Sequence, residues 1–258
     1  MTNLIDTHAH IYLDEFEDDI NTLIQESKNT GVNQIFMPNI DSHTIDPMLR
    51  IEDAYKDYCI PMMGLHPCYV KPNVHEELAV VESWLRKRSF CAIGEIGIDL
   101  YWDKTFLDQQ IEAFEMQINW AKELNLPIII HCRDSIDMTI EIVKKHQDGN
   151  LKGIFHCFSG NLEHAQKIID LNFLLGIGGV VTFKNGGIDK IIPNIDLSTI
   201  ALETDSPYLA PAPHRGKKNR PSFLPIIASK IAELKQCAVQ DVATVTSKNA
   251  VNLFLNGN

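Results

Sequence analysis

Positive charge is what this sequence has least of. Against 34 acidic residues stand 23 lysines and arginines, a formal charge of −11 at neutral pH. That excludes a surface that coats nucleic acid along its length, because such binding rests on neutralising many phosphates at once. It leaves room for an enzyme that meets phosphate with cations of its own. Long apolar runs are missing as well. No stretch could span a bilayer, and no basic flank followed by a long apolar segment opens the sequence, so the protein is expected to be soluble and cytoplasmic. The six cysteines (59, 68, 91, 132, 157 and 237) form no C-x-x-C pair. They read as free thiols in a reducing compartment, not as a zinc ribbon or a disulfide frame.

What is present is a sizeable core and a regular alternation. Hydrophobic residues make up 45% of the chain, and 258 residues is close to the length of barrels built from alternating strand and helix. A short strand opens the chain and ends in Leu4-Ile5-Asp6-Thr7-His8-Ala9-His10. A helix is expected over 15–29, where Phe16, Ile20, Leu23 and Ile24 recur at helical spacing and Gly31 stops it. Strands follow over 32–37, 60–65, 91–97, 127–131, 153–156, 173–181 and 198–202. Helices over 44–58, 76–88, 105–124, 135–146, 162–171 and 187–192 separate them, and two more, 222–235 and 239–254, finish the chain. Strands that each feed a helix pair in parallel, and their continuous apolar character implies burial on both faces. The expected fold is α/β, a (β/α)8 TIM barrel forming one domain over 1–258. Functional groups of such barrels gather at the C-terminal ends of the strands.

Residues with ligand chemistry fall at that end. His8 and His10, two apart on a strand, face one side together with Asp6 below them. Glu95 lies on strand four, His131 after strand five, His156 after strand six and Asp205 after strand eight, which closure brings beside strand one. Taken singly each has an ordinary account: a core histidine, a buried ion-pair partner, a cap before Pro207. Together at one end of five strands they read as a metal centre. Six candidates exceed the roughly three protein ligands of a single open zinc site. They suit two cations bridged by Glu95, whose strand sits between the His8/His10 and His131/His156 sides. A metal pair about 3.5–4 Å apart activates water and clamps both oxygens of a displacement.

The segments Leu4-Ile5-Asp6-Thr7-His8-Ala9-His10, Gly94-Glu95-Ile96-Gly97-Ile98-Asp99, Pro127 to Arg133, His156-Cys157-Phe158-Ser159-Gly160 and Leu202-Glu203-Thr204-Asp205-Ser206-Pro207 resemble the TatD family. These are metal-dependent deoxyribonucleases within the amidohydrolase-like barrels, and the resemblance runs from the first strand to the final helices. It implies a DNase that uses divalent cations such as magnesium, manganese or zinc. The metal ligands it implies are His8, His10, Glu95, His131, His156 and Asp205. The implied partner is DNA, with no membrane and no obligate protein partner. Two departures stand out. The family commonly has an acidic residue soon after H-x-H, where this chain has Ile11-Tyr12. Its R-G-x-x-N-E-P loop reads Arg215-Gly216-Lys217-Lys218-Asn219-Arg220-Pro221 here, so a cation replaces a carboxylate. The second change bears on substrate contacts, not on the metals.

Chemistry and resemblance agree on roles. Asp205 is the expected general base, or the group that orients the attacking water, and Glu95 is the other catalytic residue. Arg133, two beyond His131, could grip a phosphate bidentately or pair with Asp99 or Asp134. His66 ends strand three and could donate to substrate. Ser159, ahead of a helix, offers an anion site or a simple cap. Glu203, deeper on the strand of Asp205, is a substrate or ligand contact or a buried polar filler. Arg215 belongs to a cationic rim with His214, Lys217, Lys218 and Arg220. The expected activity is trimming of single-stranded or frayed DNA ends, with 3′-to-5′ polarity implied by the resemblance. The alternative is a metal-dependent amide or ester hydrolase, such as an aminoacyl-tRNA deacylase, on the same fold. Six intact ligands speak against a metal-free binding protein.

Overall fold

The fold is that of a computed structural model whose described residues are 3–255. Strands and helices alternate in the order β1 (Leu4–Asp6), α1 (Ile20–Asn29), β2 (Val32–Pro38), α2 (Ile45–Ala54), β3 (Cys59–Met62), α3 (Val74–Lys87) and β4 (Ile93–Asp99). They continue with α4 (Leu107–Leu124), β5 (Ile128–Arg133), α5 (Ile136–His146), β6 (Gly153–Phe155), α6 (Leu162–Asp170), β7 (Phe173–Ile177), α7 (Ile188–Ile191) and β8 (Ile200–Leu202). Two helices, α8 (Leu224–Lys235) and α9 (Val239–Phe254), complete the chain.

Every strand pairing is parallel, in the orders β1-β2-β3 and β4-β5-β6-β7-β8. Two parallel bridges, Met63 to Ile93 and Ala9 to Ser206, close the seams between the two runs. Thr7 reinforces the second seam, its N–H and hydroxyl both donating to the Leu202 carbonyl at 2.9 and 3.0 Å. The sheet is a closed TIM barrel.

Several boundaries differ from the periodicity by a few residues, among them the end of α2 at Ala54 and of β3 at Met62, and three have a visible cause. The helix expected from residue 15 starts as a 3-10 turn over Asp14–Asp19, where Asp14, Glu15, Glu17, Asp18 and Asp19 crowd like charges at the spacings that destabilise an α-helix. The α-helical turn takes over only at Ile20. β7 ends at Ile177, not residue 181, because Gly178 and Gly179 lead into a 3-10 turn over Gly179–Thr182. The last strand starts at Ile200, since Asp196 accepts from the Ser198 N–H at 2.8 Å and caps a turn over Leu197–Thr199.

Inside the barrel, side-chain alternation sets apolar and polar tiers on the same strand faces. Met62, Ile129, Ile154 and Ala201 belong to one buried cluster, and two or four residues further along the same strands come His66, His131, His156 and Asp205. Ala250, Leu253 and Phe254 of α9 pack into that cluster, with the Phe36 and Phe254 rings stacked at 4.2 Å. Burial of each such side chain contributes about 1.5–3 kcal/mol. α9 therefore seals one end of the lumen and the polar groups occupy the other. Among the described residues no helix is long and apolar enough to cross a membrane.

Candidate metal centre

Glu95 is the hub of the polar end. All seven residues of β4 are buried, and Gly97 within it has φ +140°. A Cβ added at Gly97 would lie 2.0 Å from the His131 carbonyl oxygen, so only glycine lets β4 close against β5 here. The two Glu95 oxygens serve different sides. Oε2 lies 3.0 Å from His8 Nε2 and 3.4 Å from His10 Nε2. Oε1 lies 2.8 Å from His131 Nδ1, 3.3 Å from His66 Nε2 and 3.5 Å from His156 Nε2. Asp205 Oδ1 stands 3.8 and 3.9 Å from the Nε2 atoms of His10 and His8. The His8 and His156 rings stack at 3.7 Å. All six residues expected as ligands thus converge.

The outer nitrogen of each imidazole decides what the inner one can do. His10 Nδ1–H donates to the Tyr12 hydroxyl at 2.9 Å, which in turn donates to the Pro38 carbonyl. His131 Nε2–H donates to Asp99 Oδ2 at 2.8 Å. His156 Nδ1 faces Glu203 Oε1 at 3.1 Å, at an angle too poor for a full hydrogen bond. A proton held on the outer side leaves an inner lone pair, which is what a metal ligand presents. His8 Nε2 and His10 Nε2 face each other at 3.1 Å, a spacing a shared cation would relieve, while His8 Nδ1 is buried with no partner among the described residues. His66 is wired the opposite way. Its Nδ1 accepts the Cys68 N–H at 3.0 Å, so the inward Nε2 keeps the proton and is a donor.

The electrostatics show a pocket in which buried carboxylates and imidazoles shift one another. Burial works to raise the Glu95 pKa, yet the imidazoles around it, His66 foremost, hold it well below the usual carboxylate range. Burial pushes Asp205 up to about 6, with His156 and His10 working against it. At His156 burial opposes the charged form, but Glu203 and Glu95 beside it drive the pKa up to about 10. Burial pushes the His8 and His66 imidazoles down, toward the neutral form that a metal ligand or a neutral donor requires. The donor set of imidazole nitrogens and carboxylate oxygens fits several first-row ions.

The other expected site residues separate. Glu203 is 0% exposed; its Oε1 accepts the Cys157 N–H at 2.6 Å, and a Cβ on Gly176 would lie 2.3 Å from its Oε2. It lies buried beside His156, its Oε1 3.1 Å from His156 Nδ1. Arg133 pairs with neither Asp99 nor Asp134; its guanidinium lies 3.7 Å over the Tyr101 ring. Ser159 precedes the cap of α6, which is Asn161 in a capping box with His164. The His164 N–H is bonded to Asn161 Oδ1 at 2.8 Å, so the cap at this helix start is Asn161 and not Ser159. Asp99 and Tyr12, which orient ligands, were not among the expected site residues. Asp99 follows Gly97 on the face of Glu95, a legible spacing. Tyr12 occupies the position after H-x-H where the family's acid is missing.

The cations of the loop after β8 divide between two roles. Arg220 pairs with Asp19 and, at 3.0 Å, with Glu26, while Lys218 donates to the Glu15 carbonyl and lies 5.1 Å over the Phe16 ring. Arg215 lies 4.5 Å over Phe183. Two of the four loop cations therefore clasp the segment after β1. That clasp accounts for a cation where the family has a carboxylate. Arg220→Ala is expected to cost roughly 1 kcal/mol, or about 2–4 °C in Tm, and to leave KM unchanged. Thermal unfolding beside steady-state kinetics checks this; a raised KM with an unshifted Tm would return Arg220 to substrate binding.

A closed parallel barrel carrying buried His, Glu and Asp at its mouth is the frame of a metal-dependent hydrolase. The family model described as TatD related DNase matches residues 5–255, and the chain belongs to that family. It is 38% identical over 252 residues to the metal-dependent hydrolase YabD of Bacillus subtilis, covering 97% of this chain and 98% of the relative. It is 27% identical over 257 residues to the 3'-5' ssDNA/RNA exonuclease TatD of Pantoea ananatis, covering 97% and 99%. The crystal structure of YJJV, a TatD homolog from Escherichia coli K12, superposes with a TM-score of 0.92 at 27% identity over 98% of both chains. The protein is a TatD-family metal-dependent hydrolase.

Proposed function

We propose that the protein is a two-metal phosphodiesterase that trims single-stranded or frayed DNA ends from the 3′ side. The observation that carries it is the division of the Glu95 oxygens, Oε2 toward His8 and His10 and Oε1 toward His131 and His156. His8 and His10 would hold one divalent ion and His131 and His156 the other, with Glu95 between them and Asp205 beside the first. Such a pair supplies Lewis-acid activation of water at neutral pH.

The residues of the chain do the rest. Asp205, whose N–H is fixed to the His8 carbonyl at 2.9 Å, orients the attacking water and receives its proton. Asp99, Tyr12 and Glu203 keep the ligand rings in register. His66 meets a non-bridging phosphate oxygen with its Nε2–H. Replacing His66 by Ala is therefore expected to reduce kcat/KM roughly a hundredfold, while metal analysis finds the wild-type content. A loss of bound metal in that variant would make His66 a ligand instead of a donor.

Support for nucleic acid comes from the family and from the exonuclease named for the Pantoea ananatis relative. Support for strand ends comes from charge: at −11, with few loop cations left free, the surface would repel a long duplex and favour a phosphate brought to a narrow mouth. A cytoplasmic setting suits the six free cysteines. The test is turnover of labelled single-stranded DNA, RNA and aminoacyl-tRNA side by side with magnesium, manganese and zinc. Stepwise shortening of linear DNA from its 3′ end, with closed circular strands left intact, is expected. Efficient cutting of circles would remove the end-dependent reading, and faster deacylation of aminoacyl-tRNA would favour the ester-hydrolase alternative.

A further inference from the structure

Most of the chain's large apolar side chains are buried, yet Trp102 is 69% exposed and Tyr101 53%. Both stand on the loop directly after β4, the strand that carries Glu95. An indole left in water forfeits about 1.5–3 kcal/mol that burial would have contributed, so its exposure does nothing for folding. The loop is nonetheless fixed. Asp99 Oδ1 accepts the N–H groups of Tyr101 and Trp102 at 2.9 and 3.0 Å, and Asp99 Oδ2 accepts from His131 Nε2 at 2.8 Å. One carboxylate thus sets both a ligand of the metal centre and the aromatic pair above it. The two rings meet edge to face, centroids 4.9 Å apart at 89°. Arg133 ends β5 two residues beyond His131, its guanidinium 3.7 Å over Tyr101 and 5.5 Å from Trp102. Among the described residues no carboxylate lies within ion-pair distance of it.

We propose that Trp102 is a stacking platform for an unpaired nucleobase of the strand whose phosphate enters the metal centre, with Arg133 held by the aromatic rings to meet the adjoining phosphate. This rests on the nuclease reading and deepens it by naming what distinguishes the substrate: a base free to leave its partner. Aromatic faces take any base, which gives preference for single strands without preference for sequence. Arg133, held flat on Tyr101, retains an N–H edge for phosphate. A base inside a duplex has both faces covered by its neighbours, so an internal base would have to unstack before it engages.

The test uses two single-stranded oligodeoxynucleotides of equal length and charge, one natural and one with abasic residues at its 3′ end. Wild-type protein is expected to show a KM on the order of tenfold higher for the abasic strand. Trp102→Ala is expected to show that loss already on the natural strand and to discriminate no further against the abasic one. Trp102→Phe should recover most of it, and kcat at saturation on the abasic strand, where no base meets the platform, should be the same in all three proteins. Equal KM values for wild type and Trp102→Ala on the natural strand, or a variant that still discriminates, would overturn the platform and leave the nuclease reading standing. Turnover of bis(p-nitrophenyl) phosphate without turnover of either strand would overturn the nuclease reading and the platform with it.

Discussion

Replacing Glu95 by alanine is expected to end turnover and to leave fewer than two divalent ions per chain. Among the described residues Glu95 alone is a carboxylate within 3.5 Å of imidazoles on both sides of the mouth, with His8 and His10 at one oxygen and His131 and His156 at the other. Its removal would take a negative charge from between the two proposed ion positions, and the Lewis-acid contribution of such a pair is several kcal/mol. At about 1.4 kcal/mol per tenfold, the rate should fall by roughly three orders of magnitude or more. Metal analysis and turnover on the same preparation check this, with circular dichroism to show that the barrel persists. Glu95→Gln, which keeps the shape but not the charge, should fall between. Undiminished metal and full activity in the alanine variant would remove Glu95 from the bridge.

Asp205→Asn addresses catalysis apart from binding. The amide keeps the side-chain volume and one oxygen near the Nε2 atoms of His8 and His10, and it loses both the negative charge and the ability to take a proton. Asp205 Oδ1 stands 3.8 and 3.9 Å from the Nε2 atoms of His10 and His8, beside the position where the attacking water would be held. A fall in kcat of about a hundredfold or more is expected, in the range for loss of a general base, with Tm unchanged. Near-normal rates at saturating metal would mean that Asp205 neither orients nor deprotonates the water.

The convergence of these six residues was legible because most of them close or interrupt an apolar run. His8, Glu95, His131, His156 and Asp205 stand where alternation or burial predicts more hydrophobic side chains, and a barrel brings such ends together. Their wiring was not. Asp99 reaches His131 only because β4 and β5 pair with Gly97 opposite His131, and no pattern within either strand gives a register between them. Glu203 shares a strand face with Asp205; what packs against it is the backbone of Gly176, a neighbour supplied by β7. Arg220 finds Asp19 and Glu26 across some two hundred residues of chain, so a loop that reads as a cationic rim also serves as a clasp. The 3-10 start of the first helix was readable in principle, since five acids in six residues oppose an α-helical turn, but Phe16 and Ile20 supplied the stronger apolar signal.

Anomalous diffraction from manganese-loaded crystals tests the central claim most directly. Two peaks about 3.5–4 Å apart are expected, one against His8 and His10, the other against His131 and His156, with a Glu95 oxygen on each. His66 Nε2 should face the space beside them without touching either ion. A single peak, or a second one bonded to His66 Nε2 in place of His156, would contradict the two-metal centre bridged by Glu95.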